Sequence, residues 1–190
     1  GDLIESINSS TQPINETVTA FTDYIHYEKD LRNLLESGQL WFGEHFDVST
    51  SYTFDFEINN LIQTEPINAK IALAARSSAN TTFTIKAGNQ TIANPEFAAV
   101  NMSSYTSTYA IRKIINESFT SNSDNLTTSI DYHNSSSSSM AWLDYITLNA
   151  QRQLRITDGQ QLQFRYFNDD DFTKTIDFRI QNTTSSTKVW

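Results

Sequence analysis

His26, His45 and His133 are the only imidazoles in this 190-residue sequence, and no two stand at the i, i+4 spacing of a helical metal pair. Surface or structural histidines are therefore expected. There is no cysteine, which excludes a thiol nucleophile, cysteine-ligated zinc and any disulfide, so the fold must stand on its core alone. Serine is abundant, but no Gly-x-Ser-x-Gly elbow presents one as a nucleophile. Asn168-Asp169-Asp170-Asp171 offers hard oxygen ligands in the pattern calcium takes, although an acidic hairpin tip between two strands is the plainer reading. Calcium at Asp169, Asp170 and Asp171 is thus the one cofactor expectation, and a weak one. Trp41, Phe42 and Phe46 stand beside Gly43 and Glu44. Exposed, such rings stack on sugars or anchor partners; buried, they build a core, which is expected here together with Tyr52 and Phe54. Gly43 is expected to supply backbone freedom that a Cβ would forbid.

The elements that must position these residues are strands. Tyr52, Phe54, Phe56 and Ile58 alternate with Thr53, Asp55 and Glu57, the period of a half-buried antiparallel strand. Similar runs occur at Val18–Tyr27, Ile71–Ala75, Phe83–Ala87, Tyr109–Ile115, Leu126–Tyr132, Trp142–Leu148, Leu162–Phe167 and Ile176–Ile180. Many short strands in series predict an all-β, antiparallel β-sandwich, jelly-roll-like, with at most one short helix. That helix would hold Leu31, Leu34 and Leu35 ahead of Ser37-Gly38. With only 5 Gly and 3 Pro, the turning falls to Asn, Asp and Ser. Ser135–Ser139 reads as a mobile loop tip. Residues 1–16 are poorly patterned, and 17–190 read as a single domain.

Lys plus Arg number 13 against 22 Asp plus Glu, a net charge of −9, and the basic residues form no stripe. Nucleic acid is therefore not an expected partner. No apolar run approaches the ~20 residues that span a bilayer. Nine Asn-x-Ser/Thr sequons, from Asn8 to Asn182, arise from an Asn-, Ser- and Thr-rich composition. The opening Gly1 reads as the remnant of a tag after a removed leader. The end at Lys188-Val189-Trp190, directly after a strand-like run, leads us to expect a longer parent polypeptide.

Three stretches are distinctive. The segment from Asn33 to Asp47, NLLESGQLWFGEHFD, followed by the aromatic strand from Tyr52, resembles the "NLL-x-SG-x-x-WFGE-x-FD" segment ahead of the catalytic domain in the gingipain-like (peptidase family C25) sortases of the type IX secretion system of Bacteroidetes, the PorU family. Ile71 to Ser77 is similar to that family's Ala-rich strand. Ala141 to Ala150, with Arg152 and Leu154 after it, is similar to its "WLDYI-x-LN" strand, and Val189-Trp190 to the start of its "WDVT" junction. The motifs occur in the family's order, from about Phe21 to the end.

The resemblance implies that this chain is a noncatalytic amino-terminal β domain. The family's peptidase uses a Cys and a His from the downstream domain, and with no Cys here that pair cannot be carried over. The implied parent is a cell-surface enzyme that cleaves the sorting signal of secreted cargo and transfers the cargo to a surface glycolipid. The implied partners are the downstream peptidase domain and outer-membrane proteins of the system, on the cell surface or the periplasmic face of the outer membrane. Trp41, Phe42, Gly43, Glu44, Phe46, Trp142, Asp144 and Tyr145 are the family-motif residues, with structural roles expected; Asp144, in a central strand, would need a partner. The WLDYI-x-L strand also resembles a late strand of jelly-roll carbohydrate-binding modules, which makes a glycan the alternative ligand.

Overall fold

The computed structural model describes residues 11–34, 40–104, 106–134, 136–157, 160–166 and 173–188. Asp169, Asp170, Asp171, Val189 and Trp190 lie outside them. The described residues form fourteen strands: β1 (Glu16–Val18), β2 (Ala20–Glu28), β3 (Arg32–Asn33), β4 (Trp41–Phe42), β5 (His45–Phe46), β6 (Ser51–Glu57), β7 (Ile67–Arg76), β8 (Thr81–Ala87), β9 (Gln90–Ala93), β10 (Glu96–Phe97), β11 (Ile111–Phe119), β12 (Asn125–His133), β13 (Met140–Gln153) and β14 (Ile176–Phe178). The described residues contain no helix.

Take β2, β6, β7, β8, β9, β11, β12 and β13 in chain order. The first pairs with the last, the second with the seventh, the third with the sixth and the fourth with the fifth, all antiparallel. Pairing of β13 with β7 and of β12 with β8 then rolls this long hairpin into two sheets. That is jelly-roll connectivity, as the sequence predicts. One sheet runs β10-β8-β12-β6 with β9 also on β8, and the other β11-β7-β13-β2 with β5 also on β13.

The core lies between the sheets. Phe83, Ile85 and Ile130 of the first sheet are fully buried, as are Phe46, Ile71, Leu73, Leu143 and Ile146 of the second. Phe46 meets Tyr52 and Phe83 edge to face, at 5.0 and 5.5 Å between ring centroids. Burial of a ring of this size contributes about 1.5–3 kcal/mol. Asn60 and Asn182 adopt positive φ, as does Gly88, so asparagine does take turning positions that glycine-poor sequences must fill otherwise.

Four expectations are corrected. The leucines at 31 and 34 do not form a helix: Arg32 pairs with Phe42 and Asn33 with Trp41, because this segment finds a strand partner across a hairpin. Leu35 lies outside the described residues. Leu162, Phe164 and Tyr166 alternate and pack on Val18, Phe21 and Leu154, but residues 160–166 join no ladder. Ser139 is not at an exposed tip; it is buried, its hydroxyl 2.9 Å from that of Ser77. Trp41 is 43% exposed rather than core, since the edge hairpin turns it outward while Phe42 goes in.

Candidate binding trough on the outer sheet face

One sheet presents its outer face through even-numbered positions on three of its strands. On β2 the odd residues Phe21, Ile25 and Tyr27 point inward, leaving Tyr24, His26 and Glu28 outside. On β7 the inward set is Ile67, Ala69, Ile71, Leu73 and Ala75, so Lys70, Ala72, Ala74 and Arg76 face out, and on β11 so do Arg112 and Ile114. On β13 the parity breaks. Ala141 and Leu143 point into the core, then Ile146, Leu148 and Ala150 do. The register slips at this point: Leu143 pairs with Leu73 and Tyr145 with Ala72, leaving Asp144 extra. A bulge of this kind turns two consecutive side chains to one side. It places Asp144 and Tyr145 together on the outer face.

Asp144, only 4% exposed, accepts from Arg112 Nε at 2.8 Å and Nη2 at 2.7 Å, which supplies the partner a carboxylate in this central strand requires. Burial pushes its pKa up against the lowering effect of Arg112. Across β13 and β2, Tyr24 stacks on His26 at 5.9 Å, His26 leans on Tyr145 at 5.8 Å, and the Arg112 guanidinium lies 5.9 Å over Tyr145. His26 is fixed at both ring nitrogens, by Glu28 at 2.8 Å and Thr147 at 3.2 Å.

Two cavities open on this face. One, of about 840 Å³, lies between the β3–β4 hairpin, residues 102–104 and 106–110 and the alanine at 74; the other, of about 460 Å³, lies over Tyr24, His26, Asp144 and Tyr145. Leu40 and Arg112 line both, so they form one trough. In the larger, Arg76 donates to the Tyr109 carbonyl at 2.6 Å and lies 4.1 Å over the Tyr109 ring. Beneath it Phe42, Ala74 and Trp142 form a small apolar cluster with Leu34, Tyr109 and Met140.

The remaining motif residues build the support. Phe46 is in the main core. Glu44 is buried and accepts from the Tyr27 hydroxyl and from Lys29 Nζ, the latter at 2.8 Å. Those contacts raise the Lys29 pKa, and burial followed by Glu44 raises that of Tyr27. Gly43 is not at positive φ, so its role is not backbone freedom: a Cβ there would stand 3.1 Å from both Lys29 Cβ and Lys29 O. Its absence lets β4–β5 cross close over Lys29, with Gly43 N–H bonded to Leu143 O at 2.8 Å. His45 stacks on Trp142 at 5.3 Å.

Sequence reasoning names Asp144 and Tyr145 as structural motif residues and His26 as a surface or structural imidazole, and does not single out Tyr24, Arg76, Tyr109 or Arg112. The outward parity of β2 was readable, and so was the broken alternation of Leu143-Asp144-Tyr145-Ile146, which signals a bulge. The pairing that brings Arg112 to Asp144 was not. Among the described residues no group of three or more His, Asp or Glu gathers to hold a metal ion, and no helix is long and apolar enough to cross a membrane.

No family model matches the chain, and no curated protein does. Among solved structures it is similar to dimeric latent PorU from Porphyromonas gingivalis, with a TM-score of 0.71 and 19% identity over 93% of this chain and 17% of that one. The carbohydrate-binding module CBM36, solved with calcium and xylotriose, aligns at a TM-score of 0.41 and 9% identity over 69% of this chain and 99% of that one. The insecticidal delta-endotoxin Cry8Ea1 from Bacillus thuringiensis aligns at 0.38 and 20% identity over 53% and 19%. At those scores neither of the last two carries an argument. This chain thus spans about a sixth of the PorU chain it resembles, and the likeness is one of fold: a PorU-like β-sandwich domain.

Proposed function

We propose that this chain is the noncatalytic positioning domain of an exported, cell-surface sortase of the PorU type, a C25 peptidase that processes and attaches secreted cargo. The observation that carries this reading is the fold likeness to part of PorU over 93% of the chain. The order of the WFGE and WLDYI motifs supports it, and the absence of cysteine agrees with a domain that leaves catalysis to another. The docking surface is the segment around β3–β5. Leu31, Leu40, Trp41 and Val48 are all exposed there, Val48 at 96%, and exposed apolar groups in one segment mark a contact with another protein. The occupant is the downstream peptidase domain or an outer-membrane partner of the system.

Two measurements test this. The reading frame beyond Trp190 should encode a gingipain-type domain with its Cys and His; a stop codon or an unrelated domain overturns the reading. Calorimetric titration of the chain with a PorU-type peptidase domain should give micromolar binding, with Leu31→Ser and Val48→Ser together weakening it about tenfold, or ~1.4 kcal/mol. No heat of binding at high micromolar concentration would remove the docking role.

A further inference from the structure

The trough holds a half-buried arginine that no carboxylate among the described residues neutralises. Arg76 bonds only to a carbonyl and lies on the Tyr109 ring, and among the described residues no Asp or Glu pairs with it or lines the larger cavity. In a chain of net charge −9 this is a local reversal of sign. Across the whole trough Arg76, Arg112 and Lys70 stand against Glu28 and Asp144, three cations to two anions. Arg112 is already committed to Asp144, so among the described residues Arg76 and Lys70 are left to face a ligand, Arg76 being the one braced on a ring.

Beside it runs a row of flat surfaces, Tyr24, His26, Tyr145 and the Arg112 guanidinium, each about one ring from the next. Tyr24 is 62% exposed and held in place by its stack on a doubly bonded imidazole. The two central strands of the floor, β7 and β13, are paired on both sides, and the open backbone edges lie at its rims, on β2 and β11. A ligand seated over the middle of the face is therefore not held by strand addition. What the face does offer is ring surfaces for apolar C–H faces, hydroxyls and carboxylates for polyol hydrogen bonds, and, in Arg76, a guanidinium with no carboxylate partner among the described residues to meet an anion. Each cavity falls within the ~300–1,000 Å³ that holds a small ligand, so their union accepts an oligomer.

We propose that this trough binds an acidic oligosaccharide, with sugar rings seated on Tyr24, His26 and Tyr145 and a sugar carboxylate against Arg76. The site goes beyond the positioning role proposed above; it shares Leu40 with the docking segment, but its ligand contacts Tyr24, His26, Arg76 and Tyr145 lie outside that segment. An array bearing uronic- and sialic-acid oligosaccharides beside their neutral counterparts should show the 190-residue chain binding acidic members. Calorimetry on the best of them should show binding about tenfold weaker for Arg76→Gln, for Tyr24→Ala and for the methyl-esterified sugar. Tyr24→Ala should melt as the parent chain does, because its side chain is mostly in solvent. Binding to no acidic member overturns the proposal, as does equal affinity for ester and acid or for both variants and the parent. Protection of the trough by the peptidase domain in a hydrogen-exchange comparison would assign it to a protein partner and overturn it as well. Loss of the glycan result leaves the Leu31 and Val48 titration unchanged, so the two readings fail separately.

Discussion

Burial leaves His45 an imidazole that is easier to keep neutral than to charge. Its ring stacks on Trp142, its Nε2 is shielded from solvent without a partner among the described residues, and burial followed by the Arg32 charge holds its pKa below the ordinary value. The unfolded chain takes up that proton near pH ~6.5, where the folded chain still resists it. His45 therefore contributes stability above that pH, and the contribution is lost as pH falls through the lower folded value. Between pH 7.5 and 5 the melting temperature of the parent chain should drop further than that of His45→Gln, a comparison in which all other titrating groups cancel. Parallel curves for the two would show that His45 is protonated as easily folded as unfolded. Composition could place this histidine among aromatics, but only the fold shows that the indole closes over it.

At the scale of elements, the alternation rule reports which side chains are buried and says nothing about whether the backbone beside them is paired. That is why β6, β8 and β12 were readable as strands from Tyr52, Phe83 and Leu126 onward, while Leu162, Phe164 and Tyr166 alternate just as well without joining a ladder. It is also why Leu31 and Leu34 misled: their spacing of three fits a helix turn, but Leu31 is 64% exposed and its N–H bonds Phe42 O at 3.0 Å across the β3–β4 hairpin. The close crossing of that hairpin over Lys29 depends on Gly43. Gly43→Ala should cost about 1–3 kcal/mol, because its Cβ must displace the Lys29 backbone oxygen rather than a flexible side-chain end. A thermal melt checks this, and an unchanged midpoint would mean that the crossing relaxes freely.

For the whole molecule, the fold class was legible because every strand agrees on one architecture; the trough was not, because it depends on contacts far apart in sequence. Residues 20–28 pair with 145–153, and Arg112 reaches Asp144 only after β11, β7 and β13 have assembled. Such closure of the first strand on the last makes contact order high, which places folding toward the slow, millisecond-to-second range of β proteins. Outside the jelly roll, β1 and β14 run parallel, Glu16 beside Ile176 and Val18 beside Phe178, with Glu16 N–H bonded to Thr175 O and Arg179 N–H to Val18 O. If tension enters at Glu16 and leaves at Phe178, parallel strands are pulled past each other lengthwise, and their bonds must break together rather than one by one. A chain pulled at these two points would thus meet its first mechanical resistance at this short clasp, with Val18, Phe21 and Leu154 packed behind it. In an optical trap the force peak should fall when Val18→Pro removes the clasp, and a peak left unaltered would put the resistance in the sheets.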